Sequence, residues 1–424
     1  MICLIPHCAY LSQTSRMLEI HRALTARGVP VRVATHGGTY EHLLASAGVS
    51  YDVLGPPMTP ERCARFLRDQ PSTGSVRQSA YTDDELRAYV RAEVDYFRAH
   101  GITVAVTGFT LSTVLSTQVA GIGLVTEHSA SWVPPVFERG LLPVPTRPVV
   151  PALRFLPDRL VRRLLNAAPP RVDFYCAGFN RVAAELGVPP VPSLAALLLG
   201  DLTLVTELPE VLGVPAAEIA AWSPAGRRGY RPETRLCCTG PLFAHLDVPV
   251  PERVDRFLDQ PGPVVYVAVT SSPPELVRAA VRSLAALDAR VLVAATVHDL
   301  GDLESARVMV GGVLPSHLVM PRVDLAVTAG GQGSVQTAMA AGTPLLGLPL
   351  QVEQELNLAL LERLGAARRI ALRHAGTTAL ATAAREMLAD PGHRRAAERI
   401  RDHYAAVDGA ANAADAVIGY ADSR

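Results

Sequence analysis

Residues 323–357 read VDLAVTAGGQGSVQTAMAAGTPLLGLPLQVEQELN, and this stretch decides the fold. The apolar run DLAVT predicts a buried strand, AGGQGS predicts a glycine-rich turn, and SVQTAMAA predicts a helix. In α/β proteins, ligands bind beyond the carboxyl ends of the parallel strands, which is where this turn falls. The stretch therefore predicts a strand, a loop and a helix that together form a binding site.

The loop has the composition of an anion-binding site. Its glycines let backbone amides approach an anion without obstruction from a Cβ atom. The amides and the dipole at the start of the following helix favour phosphate. The candidate diphosphate-binding residues are Gly330, Gly331, Gln332, Gly333 and Ser334. Ser334 either caps the helix or presents its hydroxyl to a phosphate oxygen. The alternative, that the glycines only make a tight turn, stays open for the loop taken alone.

A second polar group follows the next predicted strand. After Pro349 the chain reads LQVEQELN, which places Glu353, Gln354 and Asn357 just past a strand end. Two polar clusters beside each other fit a sugar attached to a diphosphate. The alternative is a solvated helix start, and Asn357 is more typical of an ordinary polar helix residue.

The alternation of strands and helices extends outward through the whole chain. Strands are predicted at residues 2–6, 31–34, 103–106 and 124–126, and again at 264–269, 291–295, 324–328 and 345–348. Helix patterns lie between them, at 16–27, 83–100 and 275–287 for example. This alternation is typical of parallel sheets with crossover helices. We therefore expect an α/β protein with two doubly wound, Rossmann-like domains that face a central cleft.

The domain boundary is predicted near Thr239 and Gly240, because the polar segment WSPAGRRGYRPE (222–233) is typical of a linker. The expected domains are residues 1–239 and 240–400. A C-terminal helix in residues 401–424 is expected to pack back on the N-terminal domain. Two long proline-rich segments, 55–81 and 129–170, are predicted to be loops that shape a binding cleft.

Composition excludes several classes of function. The 424 residues include 40 basic and 40 acidic side chains, so no net field attracts nucleic acid or anionic lipid. No run of about 18 apolar residues predicts a membrane span, and the start lacks a basic leader, so we expect a cytoplasmic protein. The six cysteines lack metal-ligand spacing and are expected to be reduced. No metal is expected to be required, since residues 83–85 (DDE) follow Thr82 and predict a helix cap.

Beyond these physical inferences, the decisive stretch resembles the donor site of sugar-nucleotide-dependent glycosyltransferases of the GT-B fold, the UDP-glucuronosyl/glucosyltransferase type that includes antibiotic-pathway enzymes. That site reads H-G-G-x-G-[ST], then G-x-P, then [DE]-Q-x-x-N. Three further segments are similar to the same family: TARGVPVRVAT (25–35), GPVVYVAVTSSPPELV (262–277) and GGVLPSHLVMPRVDL (311–325). The resemblance implies a C-terminal domain that binds the nucleotide sugar and an N-terminal domain that binds the acceptor.

The resemblance also implies roles for single residues. Gly331, Gly333 and Ser334 would hold the diphosphate, and Glu353 with Gln354 would bind sugar hydroxyls. The implied donor-binding residues from other segments are Thr270, Ser271 and Ser272, which line the donor, and Val313 and Pro315, which border the base.

By the same resemblance, the protein would transfer a sugar with inversion from a UDP or TDP sugar to a hydrophobic natural product. It would use no cofactor other than this nucleotide-sugar substrate. Residues 62–67 and 132–156 would form the acceptor wall. A homodimer is a possible assembly.

The sequence departs from the family at its polar positions. Ala329 stands where the family has a phosphate-binding His. Gln13 stands at the place of the catalytic His, and Gly108 near that of its Asp partner. Since Gln cannot hold a proton, three alternatives remain: another base, an acidic acceptor, or loss of transfer. In the last case the protein would be a binding or auxiliary partner, or would catalyse a non-transfer reaction.

The candidate base is His128, which follows a predicted strand on the expected cleft side, next to Glu127. Glu127 is a candidate catalytic residue with it, and its alternative role is an ion pair. His7 and His36 stand at other strand ends and are weaker candidates of the same type.

Overall fold

The computed structural model describes residues 1–69, 79–128, 131–147, 151–243, 245, 248–269, 272–295 and 299–424, with the backbone alone at positions 128 and 151. Contacts divide the chain into two compact units. The N-terminal unit comprises Met1–Gly140, Arg163–Ala244 and Asp408–Arg424. The C-terminal unit comprises Leu141–Arg162 and His245–Val407. Each unit is therefore assembled from separate stretches of sequence.

The N-terminal unit is built on a seven-stranded sheet of order β3-β2-β1-β4-β5-β6-β7. All its neighbouring strands are parallel, and Ile2 of β1 lies opposite both Val31 of β2 and Val104 of β4. Its strands are β1 (Ile2–Ile5), β2 (Val31–Thr35), β3 (Asp52–Val53), β4 (Val104–Thr107), β5 (Gly123–His128), β6 (Leu202–Val205) and β7 (Arg235–Cys238).

The C-terminal unit repeats this winding on a six-stranded parallel sheet of order β10-β9-β8-β11-β12-β13. In both sheets the first strand lies inside and the order reverses beside it, which is the doubly wound topology. The prediction of two doubly wound α/β domains is confirmed. The strands are β8 (Val264–Ala268), β9 (Arg290–Ala294), β10 (Val308–Gly312), β11 (Leu325–Thr328), β12 (Leu345–Gly347) and β13 (Ala367–Arg369).

Helices connect these strands. Up to β8 they are α1 (Leu11–Ala26), α2 (His42–Ser46), α3 (Pro60–Arg68), α4 (Asp83–Ala99), α5 (Thr113–Ala120), α6 (Pro134–Glu138), α7 (Asp158–Ala167), α8 (Ala177–Leu186), α9 (Leu194–Leu198), α10 (Pro209–Leu212), α11 (Ala216–Ala221) and α12 (Glu252–Leu258). After β8 they are α13 (Pro274–Leu284), α14 (Ser316–Val319), α15 (Gln332–Ala340), α16 (Val352–Arg363), α17 (Thr378–Ala389), α18 (Pro391–Ala405) and α19 (Gly409–Asp422). No described helix is long and apolar enough to cross a membrane.

The helix ends follow from local chemistry. α4 begins with a capping box in which Thr82 and Glu85 exchange side-chain and backbone hydrogen bonds, so the predicted cap is confirmed. Asp83 pairs instead with Arg181. The described residues contain no group of acidic, His and Cys side chains that could hold a metal ion.

Two expectations about loops were wrong. The segments 55–81 and 129–170 contain α3, α6 and α7. Proline starts α3 and α6 at the first helical positions, where the missing N–H has no partner in any case. Prolines that suggested loops therefore mark helix starts.

Candidate functional site

The glycine loop lies directly after β11 in the C-terminal unit. Gly330 has φ of 85°, which favours glycine, and its N–H donates to Thr328 Oγ1 at 3.1 Å. A Cβ atom there would lie 2.5 Å from Leu358 Cδ1. At Gly331, by contrast, an added Cβ would meet nothing within 4 Å. The loop therefore packs closely against Leu358 at Gly330, whereas the space beside Gly331 is open.

The start of α15 differs from the prediction. Gly331 is the N-cap and Gln332 the first helical residue, so of the two alternative roles for Ser334 the helix cap is wrong. Gly331 takes the cap because its extended backbone turns the chain directly into the helix. Ser334 lies in the first turn and is half-buried. The first-turn N–H groups of a helix have no partner within the helix, so this end offers amides and a hydroxyl to an anion.

The second polar cluster is joined to the loop by a hydrogen bond. Asn357 Nδ2 donates to Gly330 O at 3.1 Å and to Glu353 Oε1 at 2.7 Å. Gln354 Oε1 accepts from the backbone N–H of Leu350 at 2.8 Å and from that of Gln351 at 3.2 Å. The structure therefore brings the glycine loop and the start of α16 together, as the sequence predicted.

A neighbour that the sequence analysis missed holds this helix. Glu355 accepts from Thr146 N at 2.6 Å, and Arg369 Nη1 donates to its other oxygen at 3.0 Å. Thr146 lies in the 141–162 segment, so this part of the expected acceptor wall belongs to the C-terminal unit. The signal was weak, because only the ELN run of α16 hinted at buried polar positions.

The other candidate donor residues lie at or beyond strand ends. Val313 follows β10 and is 49% exposed, which is unusual for a valine. Pro315 is buried at the start of α14, and Ser272 is buried before α13. Thr270 and Ser271 lie outside the described residues.

In the N-terminal unit, Gln13 and Gly108 lie against each other. A Cβ atom on Gly108 would come within 1.5 Å of Gln13 Oε1. Gln13 lies in α1 and is buried, and Gly108 follows β4. The two positions at which the resemblance implies a catalytic pair are therefore adjacent, and the Gln13 side chain fills the space that a side chain at position 108 would need.

Glu127 forms a buried ion pair. Its Oε1 lies 2.8 Å from Arg16 Nε of α1, and both side chains are almost fully buried. Thr206 Oγ1 also donates to this carboxylate, at 3.3 Å. These contacts support the alternative role of Glu127, which is that of an ion-pair residue. His128 ends β5 opposite Val205.

A second buried polar group lies at the ends of β1 and β2. His36 Nε2 is 3.0 Å from Glu93 Oε1, and Ser112 and Ser116 both donate to the same carboxylate. His7 stacks on Phe66 with ring centroids 4.4 Å apart. Burial, with a contribution from nearby His36, lowers the pKa of His7 from 6.5 to about 3, so its ring is neutral at physiological pH.

Comparison with known proteins adds a family to this geometry. Residues 278–418 match the family described as Erythromycin biosynthesis protein CIII-like, C-terminal domain. A PGL/p-HBAD biosynthesis glycosyltransferase of Mycobacterium tuberculosis is 28% identical over 358 residues, which cover 83% of this chain and 79% of that protein. The 4'-demethylrebeccamycin synthase of Lentzea aerocolonigenes is 37% identical over 167 residues, which cover 38% of this chain and 39% of that protein.

Among solved structures, the glycosyltransferase VinC in complex with DTDP superposes with a TM-score of 0.67. The two chains are 17% identical, and the match covers 100% of each. This likeness shows the fold, and the sequence relatives supply the activity. The chain is a GT-B glycosyltransferase. The predicted family and enzyme class are confirmed.

The glycosyltransferase contains buried polar residues that the sequence analysis did not single out. Arg16 is the first residue of the helix predicted at 16–27, and Glu93 lies within the helix pattern predicted at 83–100. Their partners are distant in sequence, since Glu93 is 57 residues from His36. Only the topology of β1, β2 and β4 brings these side chains together.

Proposed function

We propose that the protein transfers a sugar, with inversion, from a UDP or TDP sugar to a hydrophobic natural-product acceptor. The observation that carries the donor half is the open side of Gly331 at the start of α15. A diphosphate there meets first-turn amides, the helix dipole and the Ser334 hydroxyl. Glu353 and Gln354 then lie beside it for sugar hydroxyls.

The remaining donor contacts are carried over from the family resemblance. Val313 and Pro315 would border the base, and Ser272, with its sequence neighbours Thr270 and Ser271, would line the donor. The nucleotide sugar is a substrate, and the proposal includes no other cofactor. Relatives named for PGL/p-HBAD biosynthesis, 4'-demethylrebeccamycin and oleandomycin support a natural-product acceptor. A cytoplasmic location and a homodimer complete the proposal.

A transfer assay tests the proposal. The purified protein is incubated with UDP- and TDP-linked hexoses and deoxyhexoses and a panel of aromatic and polyketide alcohols, and products are found by mass spectrometry. We expect an added sugar on at least one acceptor, and thermal stabilisation by the matching nucleoside diphosphate. Absence of both product and stabilisation across the panel would refute the proposal.

His128 at the end of β5 is the proton acceptor proposed from sequence. If it takes the acceptor proton, His128→Ala lowers turnover by roughly 10²–10⁴-fold while nucleotide binding survives. Gln13→Ala has a smaller effect, because Gln13 holds no proton. Turnover of both variants is measured against pH. Near-normal activity in His128→Ala would dismiss it as the base.

A further inference from the structure

A small cavity lies at the carboxyl ends of β1 and β2 in the N-terminal unit. Its volume is about 10 Å³, which is the lower limit for one water molecule or one hydroxyl group. Its walls combine polar and apolar side chains: His7, Thr35, His36, Met58, Tyr81 and Thr110. The cavity is at the edge of the sheet where ligands of doubly wound folds bind.

The histidines of this cavity have unmet hydrogen-bonding atoms. Neither ring nitrogen of His7 has a hydrogen-bond partner among the described residues, and neither has Nδ1 of His36. Both rings are at most 5% exposed. Leaving a buried donor or acceptor unpaired costs about 1–3 kcal/mol, so three such atoms around one cavity indicate an occupant that hydrogen-bonds. A hydroxyl group, which both donates and accepts, fits them.

The hydrogen bonds of Glu93 indicate which ring nitrogen of His36 carries the proton. The hydroxyls of Ser112 and Ser116 donate to Glu93, which is fully buried, so its oxygens act as acceptors. We therefore assign the imidazole N–H to Nε2, which faces Glu93 at 3.0 Å. In the neutral ring this leaves the lone pair on Nδ1 for the cavity. Tyr89 packs edge-on against the ring at 4.3 Å between centroids and limits its rotation.

We propose that His36, rather than His128, is the proton acceptor of the transfer reaction, with Glu93 as its positioning residue and His7 as a neutral hydrogen-bonding partner of the acceptor hydroxyl. This inference rests on the proposed sugar transfer. An activated nucleophile consists of a hydroxyl group, an imidazole that accepts its proton and a carboxylate that orients the imidazole. Here the protein supplies the imidazole and the carboxylate, and the acceptor supplies the hydroxyl. Neither the imidazole nor the carboxylate comes from Gln13 or Gly108, the positions at which the resemblance implies a catalytic pair.

The acceptor oxygen forms a bond to the anomeric carbon of the sugar, and the bond from that carbon to the diphosphate oxygen breaks. Its electron pair leaves with the diphosphate. The hydroxyl proton passes to His36 Nδ1, and the Glu93 carboxylate stabilises the imidazolium that forms.

Kinetics of matched variants test the inference with the donor that gives the fastest transfer in the assay above. His36→Gln is expected to lower kcat by roughly 10²–10⁴-fold with little change in KM for the nucleotide sugar. His42→Gln is the control, since His42 is exposed and its ring nitrogen meets Thr39 O. The loss should be smaller with the acidic acceptor 4-nitrophenol than with phenol, because a purely structural defect does not depend on acceptor acidity. Full activity in folded His36→Gln would overturn the inference.

Nuclear magnetic resonance of ¹⁵N-labelled histidines gives a readout that needs no turnover, so failure of the inference is separable from failure of the proposed function. The neutral His36 ring is expected to carry its proton on Nε2 and none on Nδ1. Added phenol is expected to change the ¹⁵N chemical shift of Nδ1. In Glu93→Gln the amide N–H₂ can donate to Nε2, so the proton moves to Nδ1. A wild-type ring protonated on Nδ1, or one unaffected by phenol, would overturn the inference.

Discussion

Gly330 and Gly331 are neighbours that meet different physical needs. Gly330 needs the absence of a side chain for its own conformation, with φ of 85° and Leu358 packed against it. Gly331 has ordinary backbone angles and borders open space. The first glycine is therefore structural, and the second keeps room for a ligand.

This difference predicts opposite effects of one methyl group. Gly330→Ala is expected to lower the free energy of unfolding by about 2–4 kcal/mol, from left-handed backbone strain and overpacking. Gly331→Ala should cost only about 0.5–1 kcal/mol as a poorer cap, but weaken nucleoside diphosphate binding roughly tenfold or more. Urea unfolding and calorimetric titration measure the two quantities. Equal binding losses in two equally stable variants would contradict the assignment.

The Arg16–Glu127 pair predicts a stability effect that must be separated from catalysis. Glu127→Ala leaves the Arg16 guanidinium buried without its counter-charge, which costs about 3–5 kcal/mol. The double variant Arg16→Met with Glu127→Leu should recover most of this loss. Urea unfolding of the three proteins gives the comparison. A stable Glu127→Ala protein without activity would instead support a direct catalytic role.

Whether a strand could be predicted from the sequence depended on how apolar its residues are. β1, β2, β4, β8 and β11 are apolar, mostly β-branched runs and were predicted within one or two residues. β13 reads ARR and β3 has two residues, so nothing in their composition marks a strand. They are strands because β12 and β2 offer them partners at the sheet edge.

The candidate site divides in the same way. The glycine loop and the polar start of α16 are local in sequence and could be predicted. The His36–Glu93 and Arg16–Glu127 pairs join residues from separate elements, so they follow only from strand order. The shared position of Gln13 and Gly108 was suggested by resemblance, but the direct contact between them required coordinates.

The last helix, α19, predicts a distant effect of truncation. It packs along α1, burying Ala413, Ala414 and Val417 in the N-terminal core. Arg27 Nε also donates to Asp415 at 2.6 Å. Removal of residues 408–424 is expected to raise hydrogen exchange in α1 and β1, while Arg27→Ala, an exposed contact, changes little. Unchanged protection of α1 after truncation would show that α19 contributes nothing to this core.

For the molecule as a whole, His7 predicts acid sensitivity. Its pKa is about 3 in the folded protein and 6.5 when unfolded, so the unfolded chain binds the extra proton between these values. Its stability contribution is therefore complete above pH 6.5 and is lost as pH falls toward 3, by up to about 1.4 kcal/mol per pH unit. In urea unfolding between pH 7 and pH 4, His7→Leu should reduce the slope of the free energy of unfolding against pH by the equivalent of one bound proton. An unchanged slope would contradict the buried neutral ring.

The return of α19 to the N-terminal unit also bears on synthesis in the cell. Domains generally fold in the order in which the ribosome makes them. Here the first sheet is translated early, yet the part of α1 that packs against α19 stays uncovered until residues 409–422 have emerged, after the entire second sheet. That apolar surface therefore stays exposed in the nascent chain through most of its elongation. The N-terminal unit begins to form first but is completed last.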